Sequence, residues 1–354
     1  MLTTSTTNGT AVVFAGVDTH ASTHHCAVVD DAGRVLGDKE FPATAAGHQD
    51  LAAFARSLGP LDRVGVELTG SYGMNLTRAL QAAGIRVVEV NTTDKATRAR
   101  RGKDDRTDAI AAADKARSGM ASATPKDTAG TVEAIRVLKI ARDSAVTART
   151  QALNQIKDLR ITAPQQLRTT LEGLTLPQIA KTARAFRPDP ARRHDPVQAT
   201  KSALKHLGTR IAALDAEITA ADKDLTTLVQ ATAPTLIARP QIGTQTAATL
   251  LVCAGANITR IRSEAAFARI TGTAPVPVSS GKTTRMRLHR GGNRQANAAL
   301  HLIAVGRLKN HPATRAYRDR KLTQGHSNKD AIRSLKRYIA REVFHALTTD
   351  LTSA

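Results

Sequence analysis

The chain has 354 residues and carries 51 Lys plus Arg against 30 Asp plus Glu, a formal charge of +21. That length predicts two or three domains, and that charge predicts a polyanionic partner, nucleic acid first, because Lys and Arg that neutralise phosphates release condensed counterions whatever the sequence. No run of about 18 apolar residues can span a bilayer, and residues 1–10 lack the basic start and apolar stretch of a signal peptide.

A cytoplasmic protein without membrane contact is therefore expected. Only Cys26 and Cys253 occur, too few for a disulfide framework or a cysteine zinc site, and both are expected in the core. With no Trp and 3% aromatics, contacts to nucleic acid are expected to be mostly electrostatic and polar rather than bases stacked on repeated rings.

Residues 11–18 (AVVFAGVD) form an apolar run, and residues 26–36 (CAVVDDAGRVL) read as a hairpin, so the chain opens on a small antiparallel meander. A helix over 48–58, a strand over 63–67, a helix over 74–83, a strand over 85–90 and a helix from about 104 to 116 follow. Three strands and then alternating helices and strands make a mixed-sheet α/β domain of ribonuclease H layout. Two long helices are predicted next, over 132–161 and 197–229, separated by a Pro- and Arg-rich connection. In the second, Val197, Leu204, Ile211, Ile218 and Leu225 recur every seven residues, with Leu207, Leu214, Ala221 and Leu228 in the complementary seam position. Such a seam closes on the first helix, on another copy of the chain, or on both. From about residue 237 the chain reads as short helices and Gly turns with Lys and Arg throughout.

Four acidic residues stand at predicted element ends. Asp18 ends the first strand and Glu67 a strand expected beside it. Asp105 and Asp108 lie three apart on one face at the start of a helix, with Asp104 as a solvated residue or N-cap. Singly, each is an ordinary strand-end or helix-start residue. Together they supply oxygen donors suited to Mg²⁺ or Mn²⁺, and two such ions about 4 Å apart can activate an attacking oxygen and stabilise a leaving one.

Basic residues flank this set. Arg98, Arg100, Arg101 and Lys103 precede the acidic helix and are placed to hold a phosphate backbone, although a charge run is also an ordinary solvated surface. Ser279 and Ser280 fall in a turn with Gly281 and Lys282, followed by Arg285, Arg287 and Arg290, and Arg294 opens a helix. A serine on such a turn can attack phosphorus with cations stabilising the charge, and it can equally be a polar loop. Pro240 to Gly243 resembles the turn of a helix-hairpin-helix element, with Gly243 at a phosphate-facing helix start. His20, His24 and His25 lie close in sequence without zinc-site spacing.

With GVDTH, GVELTGSYG, GKDDRTDA and the late SSG and GGN segments, the chain resembles insertion-sequence transposases of the DEDD class over nearly its whole length. The resemblance implies an N-terminal RuvC-like, ribonuclease H-like domain (10–125), a helical coiled coil (130–232) and a mainly helical C-terminal transposase domain (235–348). It implies Asp18, Glu67, Asp105 and Asp108 as the metal-holding residues and Ser280, with Ser279 as competitor, as the nucleophile. It further implies donor and target DNA, a structured noncoding guide RNA, and a homo-oligomer in which the acids of one protomer meet the serine of another. The leading expectation is a Mg²⁺-dependent (or Mn²⁺-dependent) DNA recombinase acting through serine. The alternatives are a RuvC-like junction-resolving endonuclease using metal-activated water, and a noncatalytic DNA-bridging protein.

Overall fold

The computed structural model describes residues 12–91, 104–280, 283–289 and 291–352. The chain is mixed α/β and mostly helical, and it forms two compact units, Met1–Thr128 with Ala254–Arg262, and Ala129–Cys253 with Ser263–Ala354.

In the first unit, β1 (Val13–Thr19) and the second half of β2 (Thr23–Val29) are almost continuously buried, and they form a meander with the largely exposed β3 (Val35–Pro42). Helix α1 (Ala45–Ser57) begins where the Thr44 hydroxyl accepts from the Gly47 amide at 3.1 Å. Strand β4 (Leu61–Glu67), helix α2 (Met74–Ala82), strand β5 (Val87–Val90) and helix α3 (Asp105–Arg117) follow. The sheet order is β3-β2-β1-β4-β5, antiparallel through the meander and parallel from β1 to β4 to β5. One face buries Val13, Ala15, Val17, Val64 and Val66 against Leu51 and Ala55 of α1 and Leu76 and Leu80 of α2. Each such Leu contributes about 1.5–3 kcal/mol by leaving water.

The other face is built differently. Gly16 and Gly65 are paired neighbours on β1 and β4, and α3 presses its backbone onto them. A Cβ on Gly16 would lie 2.0 Å from the Ala113 nitrogen, and one on Gly65 2.7 Å from the Ala112 oxygen. The facing helix surface carries Ala109, Ala112, Ala113 and Ala116, all fully buried. Alanines at this helical period against two glycines bring helix and strands closer than larger side chains would permit.

In the second unit, α4 (Gly130–Thr162), α5 (Gln165–Thr170), α6 (Leu176–Arg184) and α7 (Pro196–Thr232) form a helical layer. The seam of α7 closes within the chain: Leu204 and Ile211 pack with Ala152 and Ile156 of α4 and Ile179 of α6. Arg142 pairs with Asp222 at 2.9 Å, and Arg149 pairs with Asp215. Seven residues forward on one helix is seven back on the other, so α4 and α7 run antiparallel.

Short helices α8 (Pro234–Ile237), α9 (Thr244–Ala254) and α10 (Glu264–Ile270) lead to two strands, β6 (Pro275–Ser280) and β7 (Thr283–Leu288), then α11 (Arg294–Asn310), α12 (Pro312–Thr323) and α13 (Asn328–Thr352). The β6–β7 ribbon was not anticipated, because its two prolines argue against a central strand. A two-stranded ribbon has only edges, and prolines at alternate positions 275 and 277 turn their missing donors to the same outer side. Among the described residues no helix is long and apolar enough to cross a membrane.

Candidate functional site

Because Gly16 and Gly65 point at α3, the two-residue strand period points Asp18 and Glu67 the same way. Val17 pairs with Val66, so Asp18, one residue before the end of β1, and Glu67, at the end of β4, lie on neighbouring strands. The Thr19 hydroxyl donates to the Glu67 carbonyl at 3.1 Å, tying those ends together. Helix α3 brings Asp105 and Asp108 to this sheet edge in its first turn. Asp18, Glu67 and Asp108 are buried, whereas Asp105 is partly exposed.

The tightest group contains a residue that sequence reasoning set aside. Ligand atoms of Asp18, His20 and Asp105 all lie within 4.8 Å of one another, and His20 Nε2 sits 3.2 Å from an oxygen of each carboxylate. Glu67 and Asp108 stand outside this tightest group. Burial pushes the Asp18 carboxyl above the usual range; His20 opposes this, and the like charges of Asp108 and Asp105 add to it. Carboxylates gathered against their own repulsion in a half-dry site are stabilised by a cation, and the donor set of carboxylates and one imidazole fits a divalent ion.

The first turn of α3 is held from two sides. Asp104 is its N-cap, accepting from the Thr107 amide at 3.3 Å and the Thr107 hydroxyl at 2.9 Å. Arg106 donates to Asp38 on β3 at 2.7 Å, and the other Asp38 oxygen lies 2.9 Å from His25 Nε2. Hydrogen bonds from Arg106 and then His25 hold the Asp38 carboxyl below its usual range. His24 is fully buried and stacks on His48 with centroids 5.3 Å apart. Burial and then the neighbouring His48 push the His24 pKa down to about 4. The three early histidines thus do three different things. Cys26 and Cys253 are buried, as expected, with burial pushing Cys26 up to about 12.

In the second unit, Ser279 pairs with Thr284 and Ser280 with Thr283, so the serines end β6 rather than sit inside a turn. The side chains of Ser280 and Arg285 lie outside what is described, as do residues Arg98, Arg100, Arg101, Lys103, Lys282 and Arg290. Arg287 and Arg294 are exposed. Gly243 directly precedes α9, and a Cβ there would meet nothing within 4 Å.

The root of the ribbon is anchored by the GGN segment together with Asn297 and Lys336, which the sequence did not flag. Gly292 approaches Gly272 so closely that a Cβ on Gly292 would lie 2.2 Å from the Gly272 nitrogen. Asn293 caps α11 by accepting from the Ala296 amide at 2.9 Å. Asn297 donates to the carbonyls of Thr271 at 3.0 Å and Gly272 at 2.9 Å, and accepts from the buried Lys336 ammonium at 2.6 Å. Burial, and then the charge of Arg333, lower the Lys336 pKa.

His20 had a legible signal, since it stands two residues after Asp18 and so on the same strand face. So had the acids: Gly-Val-Asp (16–18) and Gly-Val-Glu (65–67) repeat one pattern, a glycine that admits the helix and an acid two residues on. Asn297 and Lys336 had none, because their roles depend on packing between segments distant in sequence.

Comparison with known proteins points to transposases. The DEDD transposase model of the IS110 group matches residues 15–160, and the model for transposases of the IS116/IS110/IS902 family matches residues 233–319. The chain is 26% identical to the 42 kDa protein of insertion element IS900 from Mycobacterium paratuberculosis, over 92% of this chain and 93% of that one. It is 37% identical to the 43.6 kDa protein of insertion element IS110 from Streptomyces coelicolor, over 29% of this chain and 26% of that one. With an acidic cluster at a sheet edge inside the first match and the serine-ended ribbon inside the second, the chain belongs to the IS110 family of insertion-sequence transposases.

Proposed function

We propose that this transposase cuts and rejoins DNA through Ser280, with Asp18, Glu67, Asp105 and Asp108 holding divalent metal, Mg²⁺ or Mn²⁺, against the scissile phosphate. The observation that carries this reading is the convergence of Asp18 and Asp105 at the sheet edge, with Glu67 ending the adjacent strand and Asp108 in the same helical turn. The strand order, with three antiparallel strands followed by two parallel ones, supports a ribonuclease H-like, RuvC-like assignment for the first unit. Divalent ions bound there supply Lewis acidity, polarising a phosphate oxygen and stabilising the leaving one.

The chain's own residues set the geometry. Asp18 and Glu67 are fixed by the parallel register of β1 and β4, and Asp105 and Asp108 by the close seating of α3 on Gly16 and Gly65. In the reaction, the Ser280 oxygen forms a bond to phosphorus while the bond from phosphorus to one deoxyribose oxygen breaks. The serine proton passes to solvent or to a nearby base, and the departing oxygen ends as a free DNA hydroxyl. Attack by a hydroxyl of the other DNA reverses the step and releases the serine, so the phosphodiester count is conserved. Exposed Arg287 and Arg294, and the basic residues 98–103, 282, 285 and 290, bind phosphate backbones. Gly243 admits a phosphate to the start of α9. A structured noncoding RNA selects donor and target sites, and the active assembly is a dimer or tetramer.

The test is to combine full-length protein, RNA transcribed from sequence flanking its gene, donor and target DNA and Mg²⁺, and to look for a covalent protein–DNA adduct on a denaturing gel. Ser280→Ala should abolish the adduct and strand exchange while retaining DNA binding. Cleavage that survives in the Ser279→Ala, Ser280→Ala double variant would replace serine with water as the nucleophile.

A further inference from the structure

The metal reading above assigns ligands to carboxylates alone, and the position of His20 goes beyond it. Resting on that reading, we infer that His20 supplies an imidazole ligand through Nε2 to the ion held by Asp18 and Asp105, which makes this a mixed nitrogen–oxygen site that favours Mn²⁺ over Mg²⁺.

The geometry argues for this directly. An octahedral ion with bonds of about 2.1 Å places neighbouring ligand atoms about 3 Å apart and opposite ones about 4.2 Å apart. His20 Nε2 is 3.2 Å from an Asp18 oxygen and 3.2 Å from an Asp105 oxygen, and the three ligand atoms fall within 4.8 Å of one another. The two His20 separations suit neighbouring ligands of one ion, with the imidazole next to both carboxylates. Nε2 is itself buried and forms a directed hydrogen bond to neither oxygen. Nε2 thus faces both carboxylates at equal distance, the position that a ligand nitrogen takes beside two ligand oxygens.

Local structure holds the ring there. The His20 amide donates to the Thr23 carbonyl at 3.0 Å, closing the turn between β1 and β2. That turn keeps His20 on the face of the sheet that carries Asp18, two residues before it. On the Asp105 side, the Asp104 cap and the Arg106–Asp38 bond fix the first turn of α3. The ligands thus come from two elements whose relative position is set by the backbone contact at Gly16.

The chemical consequence is selectivity. Mg²⁺ prefers carboxylate, carbonyl and water oxygens, whereas imidazole nitrogen suits the first-row transition ions, with Mn²⁺ accepting both donor types. A site of carboxylates alone would take the two ions in similar fashion, and adding an imidazole tilts it to Mn²⁺.

The test reads the metal rather than the reaction. Full-length protein is titrated with MnCl₂, binding is followed by loss of the free Mn²⁺ EPR signal, and bound Mn²⁺ is probed by electron spin-echo modulation for coupling to ¹⁴N. The wild type should bind Mn²⁺ and show nitrogen modulation. His20→Ala and His20→Gln, with unchanged circular dichroism, should lose that modulation and bind Mn²⁺ at least about tenfold more weakly, while Mg²⁺ competes relatively better. Asp18-dependent Mn²⁺ binding without nitrogen modulation, or modulation that survives in both His20 variants, would overturn the inference and leave the carboxylate site standing. Mn²⁺ uptake that is absent, or equal in Asp18→Asn and wild type, would overturn both.

Discussion

The acidic edge of the sheet and the serine ribbon are built by opposite means. At the acidic edge a helix lies against two strands at backbone contact, so the backbone positions of Asp18, Asp105 and Asp108 follow from main-chain geometry. The ribbon has two strands, both of them edges, and is secured at its root by a polar clamp of Asn297, Lys336 and the carbonyls of residues 271 and 272. Ligands that share an ion tolerate errors of only about half an ångström, whereas a two-stranded ribbon is marginally stable by itself. The contrast teaches that rigidity is concentrated where charges must be held together.

The sharpest way to break this comparison is to remove a charge from the rigid side without touching its backbone. Asp18→Asn preserves shape and should reduce DNA cleavage by at least about a thousandfold, a loss on the scale of removing one transition-state-stabilising group. Urea midpoints should stay near wild type or rise, because burial and like charges oppose Asp18 ionisation in the fold. Near-normal cleavage by this variant would remove the acidic edge from the chemistry.

Backbone contact predicts a second asymmetry, between two glycines. Gly16→Ala places a methyl 2.0 Å from the Ala113 nitrogen, so α3 must move, at a cost of about 3 kcal/mol or more. Gly243→Ala adds a methyl to open space and should change stability by less than about 0.5 kcal/mol, while weakening DNA binding if a phosphate sits at α9. Chemical denaturation of the two variants separates the effects, and equal losses would contradict the seating of α3.

These sites also differed in what the sequence revealed. The meeting of Asp18 with Asp105 was legible because each stands near the end of a segment whose period is strong, and the α7 heptads announced a seam that does close on α4. The ribbon was missed because Pro275 and Pro277 speak against strand wherever a strand has two neighbours, and nothing local says that this one has a single neighbour. His20 was set aside because spacing was weighed for zinc among His20, His24 and His25, whereas its partners are Asp18, two residues away, and Asp105, on a helix 85 positions downstream. Chain-distant pairing of that kind is fixed by α3 packing and has no local signature.

A pH scan tests the sheet that carries the acids. His24 is buried with a pKa pushed from 6.5 to about 4, and burial lowers His48 as well. The unfolded His24 binds a proton below about pH 6.5 that the folded one refuses until about pH 4. Stability is therefore complete above 6.5 and falls as pH drops toward 4, by up to roughly 3 kcal/mol from His24. Urea midpoints between pH 7 and 5 should fall in the wild type and fall less steeply in His24→Gln. Parallel slopes would show that the stacked pair does not carry the acid sensitivity.

A smaller loss than that at His24 is expected at the ribbon root, and it decides what the clamp is for. Asn297→Ala removes two donations to backbone carbonyls and leaves the buried Lys336 ammonium without its 2.6 Å acceptor, a loss of about 1–2 kcal/mol once water partly replaces the amide. Asn297→Asp separates the two halves of the clamp. Its carboxylate receives the Lys336 ammonium more strongly but offers no donor to the carbonyls of residues 271 and 272. If neutralising the lysine is the clamp's purpose, Asp should be at least as stable as wild type; if rooting the ribbon is, Asp should lose strand-exchange activity as Ala does. Rooting is the expected result, because those carbonyls close the segment just before β6. Mn²⁺ affinity should be unchanged in both variants, since every ligand proposed for the ion comes from β1, β4, α3 and the turn after β1.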